Sequence, residues 1–99
     1  MIGDSAAAIA DVPHVWVFHG ENARFASGVF VDRETALKWV ERHRLTGILA
    51  QYPVGDGCYD VALDQGRFRP TKPYHGSPTH VAEFSPGGPH LHVRDGHPD

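Results

Sequence analysis

The chain has 99 residues, 40% hydrophobic and 21% charged, which suits one soluble domain with its own core and little stability to spare. A net charge of −3, with only nine Lys and Arg, excludes the broad basic footprint of a general nucleic-acid binder. One cysteine, Cys58, excludes an internal disulfide and any site built on paired cysteines, and no stretch approaches the ~18 apolar residues of a membrane span.

Eight histidines are the one departure from ordinary composition. Protonating all of them turns −3 into +5, so the charge should swing between about pH 5 and 7. The lone thiol, and a first segment MIGDSAAAIADVP without the basic start of a secretory signal, make the cytoplasm the expected compartment.

Residues 1–12 read as a flexible tail, with Ala6 to Ala10 too short for a stable helix. Val15 to Phe18 is four β-forming residues, apolar on both faces, so the spacing predicts a central strand covered on both sides. Gly20-Glu21-Asn22-Ala23 breaks it, and Phe25 to Val31 returns as the second strand of an antiparallel hairpin. Gly28, inside that strand, predicts a bulge or a close neighbouring backbone.

Asp32 is the natural N-cap of a helix, with Glu34 in its first turn. Ala36, Trp39, Val40 and His43 follow at helical spacing, and Gly47 is the expected stop. Ile48 to Tyr52 is a third strand, ended by Pro53. Residues 58–63 fit a strand or a helix; the helix is preferred, with Asp56 as cap and Gly66 as end. Arg67 to Gly76 reads as extended loop. Ser77-Pro78 is an N-cap followed by proline at the first helical position, with Val81 and Phe84 as the buried face. His90 to Arg94 is a last strand.

The order β-β-α-β-α-α-β predicts an α+β fold: a small, mostly antiparallel sheet with one main helix and two short helices packed on it. Residues 13–95 form the expected single domain, between the tail and a frayed end at 96–99.

The strings VWVFHGENARFASGVF, ALKWVERHRLTGIL at Ala36 to Leu49, Tyr52-Pro53 and YDVALDQGRF at Tyr59 to Phe68 resemble a group of small bacterial single-domain proteins of unknown function. The resemblance covers roughly residues 14 to 94 and takes in Ser77-Pro78 and the histidine-rich end. It implies a bacterial source and supports the fold. It implies no activity.

His19-Gly20-Glu21 sets an imidazole beside a carboxylate, the material of a general base and its orienter, with Arg24 near as an anion contact. The plainer reading is a hairpin turn with solvated side chains and Gly20 at positive φ. His90 and His92 share one strand face and could reach one metal ion, with a third ligand drawn from His75, His80, Asp95 or His97. Against this stands the frequency of the H-x-H pattern in unrelated surfaces. His43 on the helix stripe reads as a buried or half-buried imidazole with one hydrogen-bond partner. Cys58 has an acidic neighbour and makes a poor nucleophile. Arg67, Arg69 and Lys72, interleaved with Phe68 and Tyr74, form the one basic and aromatic run, and a solvated loop is the plainer reading.

No catalytic signature is present, and no catalytic residue is named. The expected function is a small macromolecule-binding module, of antitoxin-like, immunity-like or regulatory kind. Its expected surface is His19, Glu21, Arg24, Arg67, Arg69 and Lys72. The expected partner is another protein, rather than nucleic acid or membrane, with a homodimer as an open option and no cofactor. The alternative is a metal-binding protein or small metalloenzyme that holds zinc, or another divalent transition metal, through His90 and His92.

Overall fold

The computed structural model describes residues 12–99. The tail expected ahead of the first strand lies, up to residue 11, outside them. The described residues form two compact units: His14–Tyr52 with Gly88–Asp99, and Pro53–Gly87 with Val12 and Pro13.

The first unit is built on a sheet of order β2-β1-β3-β4-β5, from β1 (His14–Gly20), β2 (Ala26–Phe30), β3 (Gly47–Pro53), β4 (His90–Arg94) and β5 (His97–Pro98). β1 pairs antiparallel with β2, and β4 with both β3 and β5. The end of β1 lies beside the start of β3, where the Glu21 N–H donates to the Thr46 carbonyl at 3.1 Å. With α1 (Arg33–His43), α2 (Cys58–Asp64) and α3 (Pro78–Ala82), the chain is α+β in the predicted order.

β1 is interior, as expected, but covered mainly on one face. Trp16 and Phe18 are buried, while Val15 and Val17 are half-buried. The strand with buried residues on both faces is β3, the middle one, where Leu49, Ala50 and Gln51 are buried in succession. The core gathers Trp16, Phe18, Leu49 and Val93 from the sheet with Ala36 and Val40 from α1. Leu49 and Val40 are fully buried, each worth roughly 1.5–3 kcal/mol relative to exposure.

Gly28 faces Phe18, and the register shifts just beyond it, from Phe18↔Gly28 to His19↔Ala26, so Ser27 is the extra residue of the expected bulge. A Cβ on Gly28 would sit 2.7 Å from the Phe30 ring and 3.2 Å from the Trp39 ring. Phe30, Trp39 and Phe18 use that space, with centroids 5.3 Å and 5.8 Å from Trp39.

Asp32 caps α1 as predicted, accepting from the Thr35 N–H at 2.7 Å. That bond, foremost among the causes, holds its carboxyl below the usual carboxylate range. The helix end differs from the expectation. Arg44, at φ 55°, takes the left-handed position, its N–H bonding the Glu41 carbonyl and the Leu45 N–H the Val40 carbonyl. This is a Schellman closure with arginine where glycine is usual. Gly47 is needed elsewhere: a Cβ there would collide with the His19 carbonyl oxygen and lie 2.8 Å from the Gly20 Cα. His43, expected to be buried or half-buried, is exposed, its ring resting edge-on to Trp39 at 5.6 Å.

The last residues pair. Asp95 (φ 51°) and Gly96 (φ 93°) form a two-residue turn of the kind that matches strand twist, and β5 returns along β4. The Gly96 N–H bonds the Leu45 carbonyl at 2.9 Å, and the Asp95 N–H the Thr46 hydroxyl at 3.0 Å.

In the second unit, residues 58–63 are helical, within α2. The cap is Gly57 rather than the expected Asp56, with no side-chain bond to the helix. Gly66, at φ 73°, ends it, its N–H reaching the Leu63 carbonyl at 3.1 Å. Ser77 caps α3 as predicted, accepting from the His80 N–H at 3.2 Å, with Pro78 at the first position. Val81 is not buried: it is 38% exposed. Little more than one turn long, α3 presents one side inward, and that side carries His80.

Candidate functional site

β1 ends in the turn Gly20-Glu21-Asn22-Ala23, closed by the Ala23 N–H to the Gly20 carbonyl at 3.0 Å. The left-handed residue is Asn22 (φ 64°), not Gly20 as expected. Asparagine tolerates that region where most side chains do not. The His19 Nε2–H donates to the Ala23 carbonyl, so the imidazole pins its own turn. His19 and Glu21 are therefore held at one end of the sheet, but no hydrogen bond joins imidazole to carboxylate as base and orienter would require.

A hollow of about 390 Å³ opens there. His19 and Glu21 line it with Ile48 of β3, His92 and Arg94 of β4, and Asp99. Ile48 stands directly across from His92 in the β3–β4 ladder. The Asp99 N–H bonds the His92 carbonyl at 2.8 Å, and Arg94 Nε meets Asp99 Oδ2 at 3.4 Å on the exposed rim. Arg24 is exposed and lies outside this lining. Of the expected surface, the fold thus joins His19 and Glu21, and adds His92 from the expected metal pair. Ile48, Arg94 and Asp99 were not foreseen. The dipeptide Asp95-Gly96, a strong hairpin signal, is what could have found the last two.

His90 and His92 do share a face of β4, their rings 5.4 Å apart and steeply inclined. His90 Nδ1–H donates to the Gly88 carbonyl at 3.0 Å. The turn sends Asp95 and His97 to a different hollow, beside Glu41 and Arg44. Among the described residues no group of three or more His, Cys, Asp or Glu side chains is placed to hold a metal ion.

The remaining expected residues belong to the second unit. Arg67 is tied down: Nε donates to Gln65 Oε1 at 2.8 Å and an Nη to the Pro86 carbonyl at 3.2 Å. Arg69 and Lys72 are exposed. The same unit holds a ring cluster of Tyr59, Phe68, His75, His80 and Phe84, with centroid separations of 4.9 to 5.9 Å. Its imidazoles also bond backbone. His75 Nδ1 accepts from the Thr71 and Lys72 N–H groups at 3.0 and 3.2 Å, and His80 Nδ1 accepts from Gly76 at 3.1 Å. Partial burial, then the neighbouring His80 and Lys72 charges, push His75 below its ordinary pKa. Cys58 opens α2 half-buried, and burial pushes its thiol up, away from the thiolate a nucleophile needs.

Sheet order, ladder and helices place the molecule among α+β proteins with a small antiparallel sheet, and among the described residues no helix is long and apolar enough to cross a membrane. The chain belongs to the family described as Domain of unknown function (DUF7710), whose model matches residues 15–99, which bears out the resemblance to a small family without assigned activity. No curated protein and no solved structure matches it.

Proposed function

We propose that this is a protein-binding module that uses the sheet face opposite α1. One observation carries the reading: that face holds exposed apolar side chains. Val29 is 64% exposed and Ile48 41%, and the face runs into the hollow between His19, Glu21 and His92. An apolar strip edged by both signs of charge suits a protein surface. A phosphate backbone would meet Glu21 and Asp99 along with Arg94. The module is proposed to act in the bacterial cytoplasm, as antitoxin-like, immunity-like or regulatory proteins do, without catalysis of its own.

The test is affinity capture from a bacterial lysate with the wild type, Ile48→Glu and Arg69→Glu side by side. A stoichiometric partner held by the wild type and Arg69→Glu, and lost with Ile48→Glu, is the expected result. Equal recovery with all three, or none with any, refutes the outer-face reading. The metal-binding alternative through His90 and His92 is checked on the same protein. It requires that Zn²⁺ raise the melting temperature of the wild type and not that of His90→Ala/His92→Ala.

A further inference from the structure

Between α1 and the end of β2 we infer a small-ligand site, a hollow that takes a ring-bearing organic acid as its anion. It lies on the α1 side of the sheet and is independent of the outer-face reading.

The hollow is about 290 Å³, lined by Phe30 from β2 and by Thr35, Lys38, Trp39 and Arg42 from α1. Those four fall at i, i+3, i+4 and i+7, so one flank of the helix supplies them over about 10 Å. That is room for one ring system with its acid group, whereas an extended peptide needs a longer groove. Phe30 and Trp39 are half-buried, so their rings are both held and reachable. Trp39 stands edge-on to the buried Phe18 at 5.8 Å and tilted to Phe30 at 5.3 Å. Gly28 leaves them that room, since a Cβ there would lie 2.7 Å from the Phe30 ring and 3.2 Å from the Trp39 ring. The aromatic wall is thus fixed before a ligand arrives, which lowers the ordering cost of binding.

Charge selects the ligand. Lys38 and Arg42 make no ion pair or hydrogen bond among the described residues, although Glu34 and Glu41 share their helix. The ion pair found among those residues, Arg94 with Asp99, lies elsewhere. Asp32 stands at the Thr35 end, where it accepts from the Thr35 N–H and feels the Lys38 charge. The acid group of a ligand therefore belongs toward Arg42, whose planar guanidinium can meet a carboxylate with two parallel hydrogen bonds. A neutral ring would leave both cations unused, and an inorganic anion would leave both rings so.

Titration with 2-naphthoate, followed by heteronuclear NMR, tests the inference. The probe should bind the full chain at about 1 mM or tighter and shift the Trp39 indole N–H, a signal identified by its absence in Trp39→Phe. Arg42→Gln should raise the dissociation constant about fivefold, while Arg69→Gln and Ile48→Glu leave it unchanged. The neutral alcohol 2-naphthalenemethanol should bind the wild type no better than naphthoate binds Arg42→Gln. Equal binding of acid and alcohol overturns the inference, as does naphthoate binding indifferent to Arg42→Gln. A Trp39 indole unmoved at about 10 mM naphthoate overturns it too. A peptide source of the same chemistry is read with acetyl-Asp-Phe-Asp-amide. If that peptide shifts the Trp39 indole and 2-naphthoate does not, the hollow belongs to a protein partner and the inference fails. None of these outcomes decides the outer-face reading, whose test turns on Ile48.

Discussion

The two units of this chain are held by different physics. The sheet unit buries aliphatic and aromatic bulk: Trp16, Phe18, Leu49 and Val93 close on Ala36 and Val40, with little polar matter inside. The unit around α2 and α3 buries only Val61 and Ala62 from its helices and leans on half-buried rings, two of them imidazoles that accept backbone N–H groups. Burial of carbon is indifferent to pH. An imidazole that accepts through Nδ1 works only while that nitrogen carries no proton. One unit should therefore be robust across the pH range in which the other responds.

The largest expected effect breaks the sheet unit. Leu49→Ala removes a fully buried side chain and should cost about 3 kcal/mol, read from urea unfolding followed by tryptophan fluorescence. A loss under about 1 kcal/mol would mean that the core is looser than the burial implies.

Next come two glycines at the same end of the sheet. Gly47→Ala drives a methyl into the β1 backbone and should cost about 2 kcal/mol. Gly20→Ala, whose nearest contact would be an ordinary 3.6 Å to Ala23 Cβ, should stay within about 0.5 kcal/mol. Comparable losses from both would show that the close approach of β1 and β3 is not what selects glycine.

The helix caps give one matched test in each unit. Ser77→Ala and Asp32→Ala each remove one side-chain acceptor and should each cost about 1 kcal/mol in thermal unfolding. If one cap proves silent, its helix is held by packing alone.

The smallest effect is the most discriminating. His75 takes its proton less readily in the folded chain than at its ordinary value of 6.5. Its contribution to stability is therefore complete above pH 6.5 and is lost as pH falls from there through the lower folded value. NMR titration should place His75 below 6.5. Amide exchange in residues 71–80 should quicken across that window, while β1 and β3 stay protected. His75→Asn, whose side-chain oxygen can accept the same two bonds, should flatten the response.

The elements with strong local chemistry were legible in the sequence. Asp32 before a helical stripe, Ser77-Pro78, and the β-rich run from Val15 to Phe18 all carry their structure in neighbouring residues, because caps and side-chain alternation act over a few positions. Where the reading slipped, a distant partner decided. Gly47 resembled a helix stop and is instead a point where two strands nearly touch. The end of α1 then fell to Arg44. His43 fits the apolar stripe by spacing, yet it is exposed.

The site divides in the same way. His19 and Glu21 could be picked out because they end a strand in a turn. That His92, Ile48, Arg94 and Asp99 would join them could not, since residues 19, 48 and 92 meet only through sheet order and register. Strand order is a property of the whole sheet, set by which faces can be buried together. The sequence alone determined the local elements, the α+β class and the family, because these follow from short-range pattern. Tertiary structure decided which apolar residues stayed exposed and which histidines came together, because long-range packing chooses between arrangements that the local pattern leaves equal.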